Sequence, residues 1–182
     1  MDADGNNAKQ LTDGTLEFHA IASPDGRWVF YQSIAGPPTI WKIPSEGGKP
    51  QTVIATGYSF LEDVSPNGKQ ILFSFANRAT PQQRLAIASS NGGPAVKVLD
   101  VPDWQPDCHA GWTPDGASIA WVRRLNGIEN VWVKPLAGGP PRPLTHFDTG
   151  MLYSFGWSPD GKTFAVARGQ PSSDVVLLRN IR

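Results

Sequence analysis

Short apolar runs punctuated by Gly, Pro, Asp and Asn recur along the chain, and four of them can be laid in register: Trp28 to Gln32, Gln70 to Phe75, Ser118 to Val122 and Thr163 to Ala167. One face of these segments carries Val29, Ile71, Ile119 and Phe164, then Tyr31, Phe73, Trp121 and Val166. The opposite face carries Phe30, Leu72, Ala120 and Ala165. Side chains alternate across a strand, so a strand with one wet side would interleave polar residues. Apolar residues on both faces predict strands buried on two sides, as when a sheet is sandwiched between neighbouring sheets.

Each run follows the same tetrad. Ser23-Pro24-Asp25-Gly26, Ser65-Pro66-Asn67-Gly68, Thr113-Pro114-Asp115-Gly116 and Ser158-Pro159-Asp160-Gly161 start 42, 48 and 45 residues apart. Proline presets φ near −65°, Asp or Asn favours the next turn position, and Gly takes φ > 0 without a Cβ clash, so each tetrad should join two antiparallel strands. A second marker keeps the same period: Glu46-Gly47-Gly48, Asn91-Gly92-Gly93 and Ala137-Gly138-Gly139. Between the markers lie third strands at Thr39 to Ile43, Arg84 to Ala88, Asn130 to Lys134 and Asp174 to Leu178. Fourth strands follow at Gln51 to Ile54, Ala95 to Leu99 and Arg142 to Thr145. Units of about 40–50 residues with four strands each are propeller blades.

The expected fold is therefore all-β: a single β-propeller domain over 1–182 with four four-stranded antiparallel blades at 13–54, 55–99, 100–145 and 146–182. The last unit ends without a fourth strand, and residues 4–12 align with Ala137 to Thr145. Residues 1–12 are thus expected to supply the outer strand that closes the last blade. The alternative is an arc of a larger ring of six to eight blades, whose uncovered ends would invite further blades or a homodimer.

Composition narrows the partners. The chain is 40% hydrophobic, and its 16 basic and 16 acidic residues cancel, so no concentrated positive surface invites nucleic acid or anionic lipid. No apolar run is long enough to span a bilayer as a helix, and no export signal precedes Asp2, so direct membrane insertion is not expected. A single cysteine, Cys108, excludes an internal disulfide framework and a multi-cysteine zinc site. The compartment is left open by these features.

Trp157-Ser158-Pro159-Asp160-Gly161-Lys162 with its variants, and Gly138 to Thr145, resemble the WD40-like repeats of TolB-type propellers over nearly the whole chain. The stretch from Ser172 to Arg182 is similar to the end of propeller regions attached to bacterial Ser/Thr kinases and winged-helix regulators, and Met1 to Gly5 resembles an internal stretch of such repeats. The resemblance implies a C-terminal part of a larger, bacterial TolB-like protein, a periplasmic or extracytoplasmic setting, and a sensory or scaffolding role. Fold does not fix function, and the conspicuous residues of the repeat build turns.

Candidate chemistry is sparse. Gly156 to Thr163 satisfies the P-loop spacing, but a strand follows where a phosphate site needs a helix, so no nucleotide cofactor is expected. Asp2, Asp4, Asn6 and Asp13 lack the glycine and glutamate of a calcium loop, and no metal is assigned. Cys108 and His109 are neighbours on one strand and point to opposite faces, and no nucleophile elbow exists, so no catalytic residue is assigned. His19 and His109 both stand four residues before their turn, on the strand innermost in a blade, where they could meet across the bore. Trp104 and Asp107 lie in the connection Val101 to Asp107, and Trp104 is the expected rim contact. Ala76 to Gln83 and Arg168 to Ser173 are the other expected rim loops. The favoured function is a non-catalytic propeller scaffold that binds a protein or peptide. The rival is the gating propeller of a prolyl-oligopeptidase-type serine peptidase.

Overall fold

The computed structural model describes residues 4–14, 16–55, 58–77, 80–101, 104 and 109–170. Among these, three four-stranded antiparallel sheets and one two-stranded sheet follow one another along the chain. Blade 1 contains β1 (Glu17–Ala22), β2 (Trp28–Ser33), β3 (Thr39–Pro44) and β4 (Gln51–Ile54). Blade 2 contains β5 (Tyr58–Val64), β6 (Gln70–Asn77), β7 (Thr80–Ser89) and β8 (Lys97–Val98). Blade 3 contains β9 (Ala110–Trp112), β10 (Ser118–Leu125), β11 (Ile128–Pro135) and β12 (Arg142–Pro143). Blade 4 shows β13 (Met151–Trp157) and β14 (Phe164–Gly169). Its expected third strand at Asp174 to Leu178 lies outside the described residues.

The four tetrads fold alike. In the first, Ser23 Oγ donates to Asp25 Oδ1 and accepts from the Trp28 amide, Asp25 Oδ1 also accepts from the Arg27 amide, and the Gly26 amide returns to the Ser23 carbonyl. The same bonds recur around Ser65, Thr113 and Ser158, with the glycines at φ 69°, 68°, 68° and 69°. These hydrogen bonds lower the carboxyls of Asp25 (to about 2), Asp115 and Asp160.

The two-faced pattern of the strands is realised at three interfaces. Between blades 1 and 2, Phe30, Ile40, Val53 and Ile54 meet Leu61, Val64, Ile71 and Phe73. Between blades 2 and 3, Leu72, Leu85, Ile87 and Leu99 meet Trp112, Ile119 and Trp121. Between blades 3 and 4, Ala120, Val122, Val131 and Val133 meet Leu152, Phe155, Trp157, Phe164 and Val166. Blades 2 and 3 thus each give one face to the blade before and the other to the blade after. Small residues on one side, such as Ala120, oppose large rings on the other, which keeps the interfaces densely packed.

A second device holds the blades together. The innermost strands are irregular, with register shifts between Phe18 and Ile21, Leu61 and Asp63, and Leu152 and Ser154. A bulge leaves amides that the sheet ladder does not take, and a buried unpaired amide is costly. At three junctions a side chain of the preceding blade accepts from an amide of the next blade's innermost strand. Gln32 accepts from the Leu61 amide (3.3 Å) and donates to the Ser59 carbonyl (3.4 Å). Glu62 accepts from the Ala110 amide, and Asp63 Oδ2 from the Trp112 amide (2.7 Å). Glu129, fully buried and paired with Arg124, accepts from the Leu152 amide (2.5 Å).

At the turn end the blades also touch, turn on turn. Side-chain space at Gly68 abuts Pro24 (3.6 Å), at Gly116 abuts Pro66 (3.8 Å) and at Gly161 abuts Pro114 (2.8 Å), whereas nothing lies within 4 Å of the equivalent point at Gly26. Three joints are made and the joint between Gly26 and Pro159 is open. No strand forms within residues 4–14. That segment instead lies beside blade 1, where Lys9 donates to the Glu46 carbonyl of the Gly-Gly turn. Lys97 of β8 makes the same kind of bond to the Leu136 carbonyl of blade 3, at 2.6 Å, and the Val53 carbonyl of β4 lies 3.0 Å from the side-chain position of Gly92. The N-terminal segment therefore stands, relative to blade 1, where the outer strand of a preceding blade would stand.

Two expectations need correction in detail. Ala76 to Gln83 is not a long loop, because β6 and β7 extend until Asn77 pairs with Thr80. The outer strands of blades 2 and 3 are shorter than the apolar pattern suggests, since Leu99 and Leu144 satisfy their amides by single bonds to Leu85 and Val131 outside the ladder. Glu129→Ala should lower the unfolding free energy by about 2 kcal/mol, because it leaves the buried Leu152 amide without its acceptor. Urea unfolding measures this, and a loss no larger than that of a surface Glu46→Ala control would refute the role given to Glu129.

Candidate binding site

All four turn prolines, Pro24, Pro66, Pro114 and Pro159, line one cavity of about 500 Å³ at the axis of the blades. The innermost strands bring Asp63, His109, Gly111, Phe155 and Trp157 to its wall. Asp63 and Gly111 occupy the same register position in their blades, opposite Leu72 and Ala120, so the carboxylate of one blade leans over the bare Cα of the next. Asp63 Oδ2 lies 3.0 Å and His109 Nε2 3.4 Å from the point where a Gly111 side chain would begin. The His109 ring packs edge-on against Phe155 (5.0 Å between centroids), and Phe155 packs against Trp157 (5.8 Å).

Burial dominates the electrostatics here. It raises Asp63 to about 6 against the bonds from Trp112 and Val64, and raises Glu62 to about 8, with the Asp63 charge adding to the rise. Burial lowers His109, and the nearby charge of His19 lowers it further. His19, at a positive φ of 54° in the β1 bulge, is itself lowered by partial burial. Of the two histidines expected to share the bore, His109 lines the cavity, whereas His19 is exposed and is not among the lining residues. Among the described residues no group of three or more His, Cys, Asp or Glu is placed to hold a metal ion.

Trp104 departs from its expected place on the rim. It is only 9% exposed and belongs to the cluster between blades 2 and 3, pinned by a bridge to Arg123. A large ring beside a sheet edge gains more by filling the interface than by standing in water. Asp107 and Cys108 lie outside the described residues. Asp63, Glu62 and Phe155 were not singled out from the sequence. The available signal was positional: a carboxylate pair on an innermost strand, where the other blades carry Ala20-Ile21, Ala110-Gly111 and Phe155-Gly156.

The opposite rim has a different character. Leu16, Phe18, Ile34, Tyr58, Leu125 and Tyr153 are exposed, and strand direction puts all of them at the end remote from the Pro-containing turns. Tyr58 and Tyr153 are 56% and 61% exposed. Singly exposed apolar residues are ordinary, but a set gathered on one rim, with tyrosines among them, has the make-up of an interaction surface.

No family model matches the chain. It is 31% identical over 115 residues to Tricorn protease homolog 1 of Streptomyces coelicolor, covering 63% of this chain and 10% of that protein. It is 26% identical over 133 residues to an uncharacterized protein of Agrobacterium fabrum, covering 68% of this chain and 45% of that one. The chain therefore spans less than half the length of either relative. Among solved structures, TolB from Acinetobacter baumannii superposes with a TM-score of 0.79 at 21% identity, over 95% of this chain and 43% of TolB. A prolyl endopeptidase superposes with a TM-score of 0.57 at 16% identity, over 84% of this chain and 26% of that enzyme. The chain has a TolB-like β-propeller fold.

The raised carboxyls fix a pH dependence. From the ordinary values of 4.5 for Glu62 and 3.8 for Asp63 up to about 8 and 6, the folded state holds protons that the unfolded chain releases, so stability falls as pH rises through this window. Glu62→Gln, which keeps an acceptor for Ala110, should flatten the fall and raise the urea midpoint most above pH 8. A wild-type midpoint that stays level from about pH 5 to 8.5 would contradict these assignments.

Proposed function

We propose that the chain is a non-catalytic, protein-binding propeller module, a sensory or interaction part of a larger TolB-like protein, whose partner docks on the rim remote from the Pro-containing turns. The observation that carries this reading is the gathering of Leu16, Phe18, Ile34, Tyr58, Leu125 and Tyr153 on that rim. Rigid blades hold such side chains at low entropic cost, and tyrosine gives large contact area with few rotatable bonds. Among the described residues no imidazole is hydrogen-bonded to a serine, which is the arrangement nucleophilic catalysis would need. What favours a sensor as the parent is the resemblance of the stretch Ser172 to Arg182 to the ends of propeller regions attached to bacterial Ser/Thr kinases and winged-helix regulators.

A second reading rests on the relatives. One is named a protease homolog and a structural neighbour is a prolyl endopeptidase, so the module could filter peptides for a hydrolase domain. An adjoining kinase or winged-helix region in the parent gene favours the sensor, and an adjoining α/β-hydrolase region favours the peptidase.

Photo-crosslinking amino acids placed at Tyr58 and Tyr153, with Asp25 and Asp115 on the opposite end as controls, test the rim in cells making the full protein. Discrete adducts from the two tyrosine positions and none from the controls are expected. Equal labelling from both ends, or none from the rim, would overturn the assignment.

A further inference from the structure

We propose that the axial cavity binds an organic cation, an alkylammonium or guanidinium group, held between the Asp63 carboxylate and the Phe155 ring over the bare Cα of Gly111. This site is separate from the rim, so either assignment can fail without the other.

Asp63 is a half-buried carboxylate that accepts from the Val64 and Trp112 amides, both neutral donors. Among the described residues, no lysine or arginine lines the cavity. A carboxylate taken from water without a counter-ion is held at a cost, and a cation entering the cavity removes that cost. An anion would meet the Asp63 charge head on, and a wholly apolar ligand would bury it further.

Shape and chemistry agree with the sign of the charge. Without a Cβ at Gly111, Asp63 Oδ2 and His109 Nε2 can both close on its Cα at the cavity wall, 3.0 and 3.4 Å from where a side chain would begin. A carboxylate oxygen accepting one amide keeps acceptor capacity for an N–H of the ligand, and a neutral imidazole can accept a second. Phe155 and Trp157 present ring surface to the same cavity, and the turn prolines give an apolar collar that a hydrocarbon stem can cross. An inorganic cation is the poorer fit, because two side chains are fewer than a metal site requires. The cationic group could belong to a lysine or arginine of a peptide or to a free amine.

The test is a titration of the full chain followed by nuclear magnetic resonance of its amides and histidine rings at pH 7.5. The probes are n-butylammonium and n-butylguanidinium, with butyrate, calcium and zinc as controls. Saturating shifts confined to His109, Gly111 and Phe155 are expected with the organic cations and not with the controls. At pH 5 affinity should fall about tenfold, since a carboxyl near 6 is then mostly protonated; Glu62 beside it, raised to about 8, is mostly neutral at both pH values, and burial holds His109 on the same wall below its ordinary value. Gly111→Ala should abolish the shifts by filling the cradle. Asp63→Asn, which keeps an oxygen for the Trp112 amide, should weaken binding at least about tenfold and serves if the alanine variant does not fold. Blocked lysine and arginine amides binding like the free probes would identify a protein side chain as the source, and binding of free amines alone a small molecule. Absence of any saturable shift, a response to metal ions alone, or binding that survives both variants would overturn the proposal.

Discussion

The central strands β6 and β10 are apolar on both faces, and the sheets built on them bury both sides. Ile71 and Phe73 point to blade 1 while Leu72 points to blade 3, and Ile119 and Trp121 point to blade 2 while Ala120 and Val122 point to blade 4. Stacking around an axis is the arrangement that covers both sides of each sheet with like sheets. The turns, the bore and the rim take their positions from that stacking.

Hydrophobic faces alone would let sheets slide, and the polar contacts between blades set their registration. Gln32, the Glu62–Asp63 pair and Glu129 come from different strands, yet each reaches the innermost strand of the next blade. Buried side chains aimed at single backbone amides are specific, because a shift by one residue leaves both partners unsatisfied. The same geometry yields functional potential at one interface. Where Asp63 crosses to blade 3 it also faces the bore, so a carboxylate with a structural bond is left with acceptor capacity toward the cavity.

The repeat is legible in the sequence because its turns are local. Pro, Asp and Gly at fixed offsets dictate a hairpin whatever surrounds them, and the four tetrads do adopt one geometry. The two-faced strands are legible for a similar reason, since period-two apolarity on both sides has few structural solutions. What is not legible depends on three-dimensional neighbours. Glu62 and Asp63 read as ordinary charges on a strand until the bulge turns one to Ala110 and the other to Trp112. Trp104 reads as an exposed loop aromatic until a bridge to Arg123 folds it into the interface. Residues 4–14 form no strand, and Lys9 repeats beside blade 1 the contact that Lys97 makes with blade 3.

Amide hydrogen exchange at the blade junctions tests the stacked arrangement most directly. The Leu61, Ala110, Trp112 and Leu152 amides each donate to a side chain of the preceding blade, so their slow exchange depends on the blades being docked as described. Protection comparable to that of Leu72 and Trp121 in the central strands is the predicted result. Exchange as fast as that of Leu125 or Asn126 at a hairpin tip would mean that the blades do not hold one another, and the account would fail.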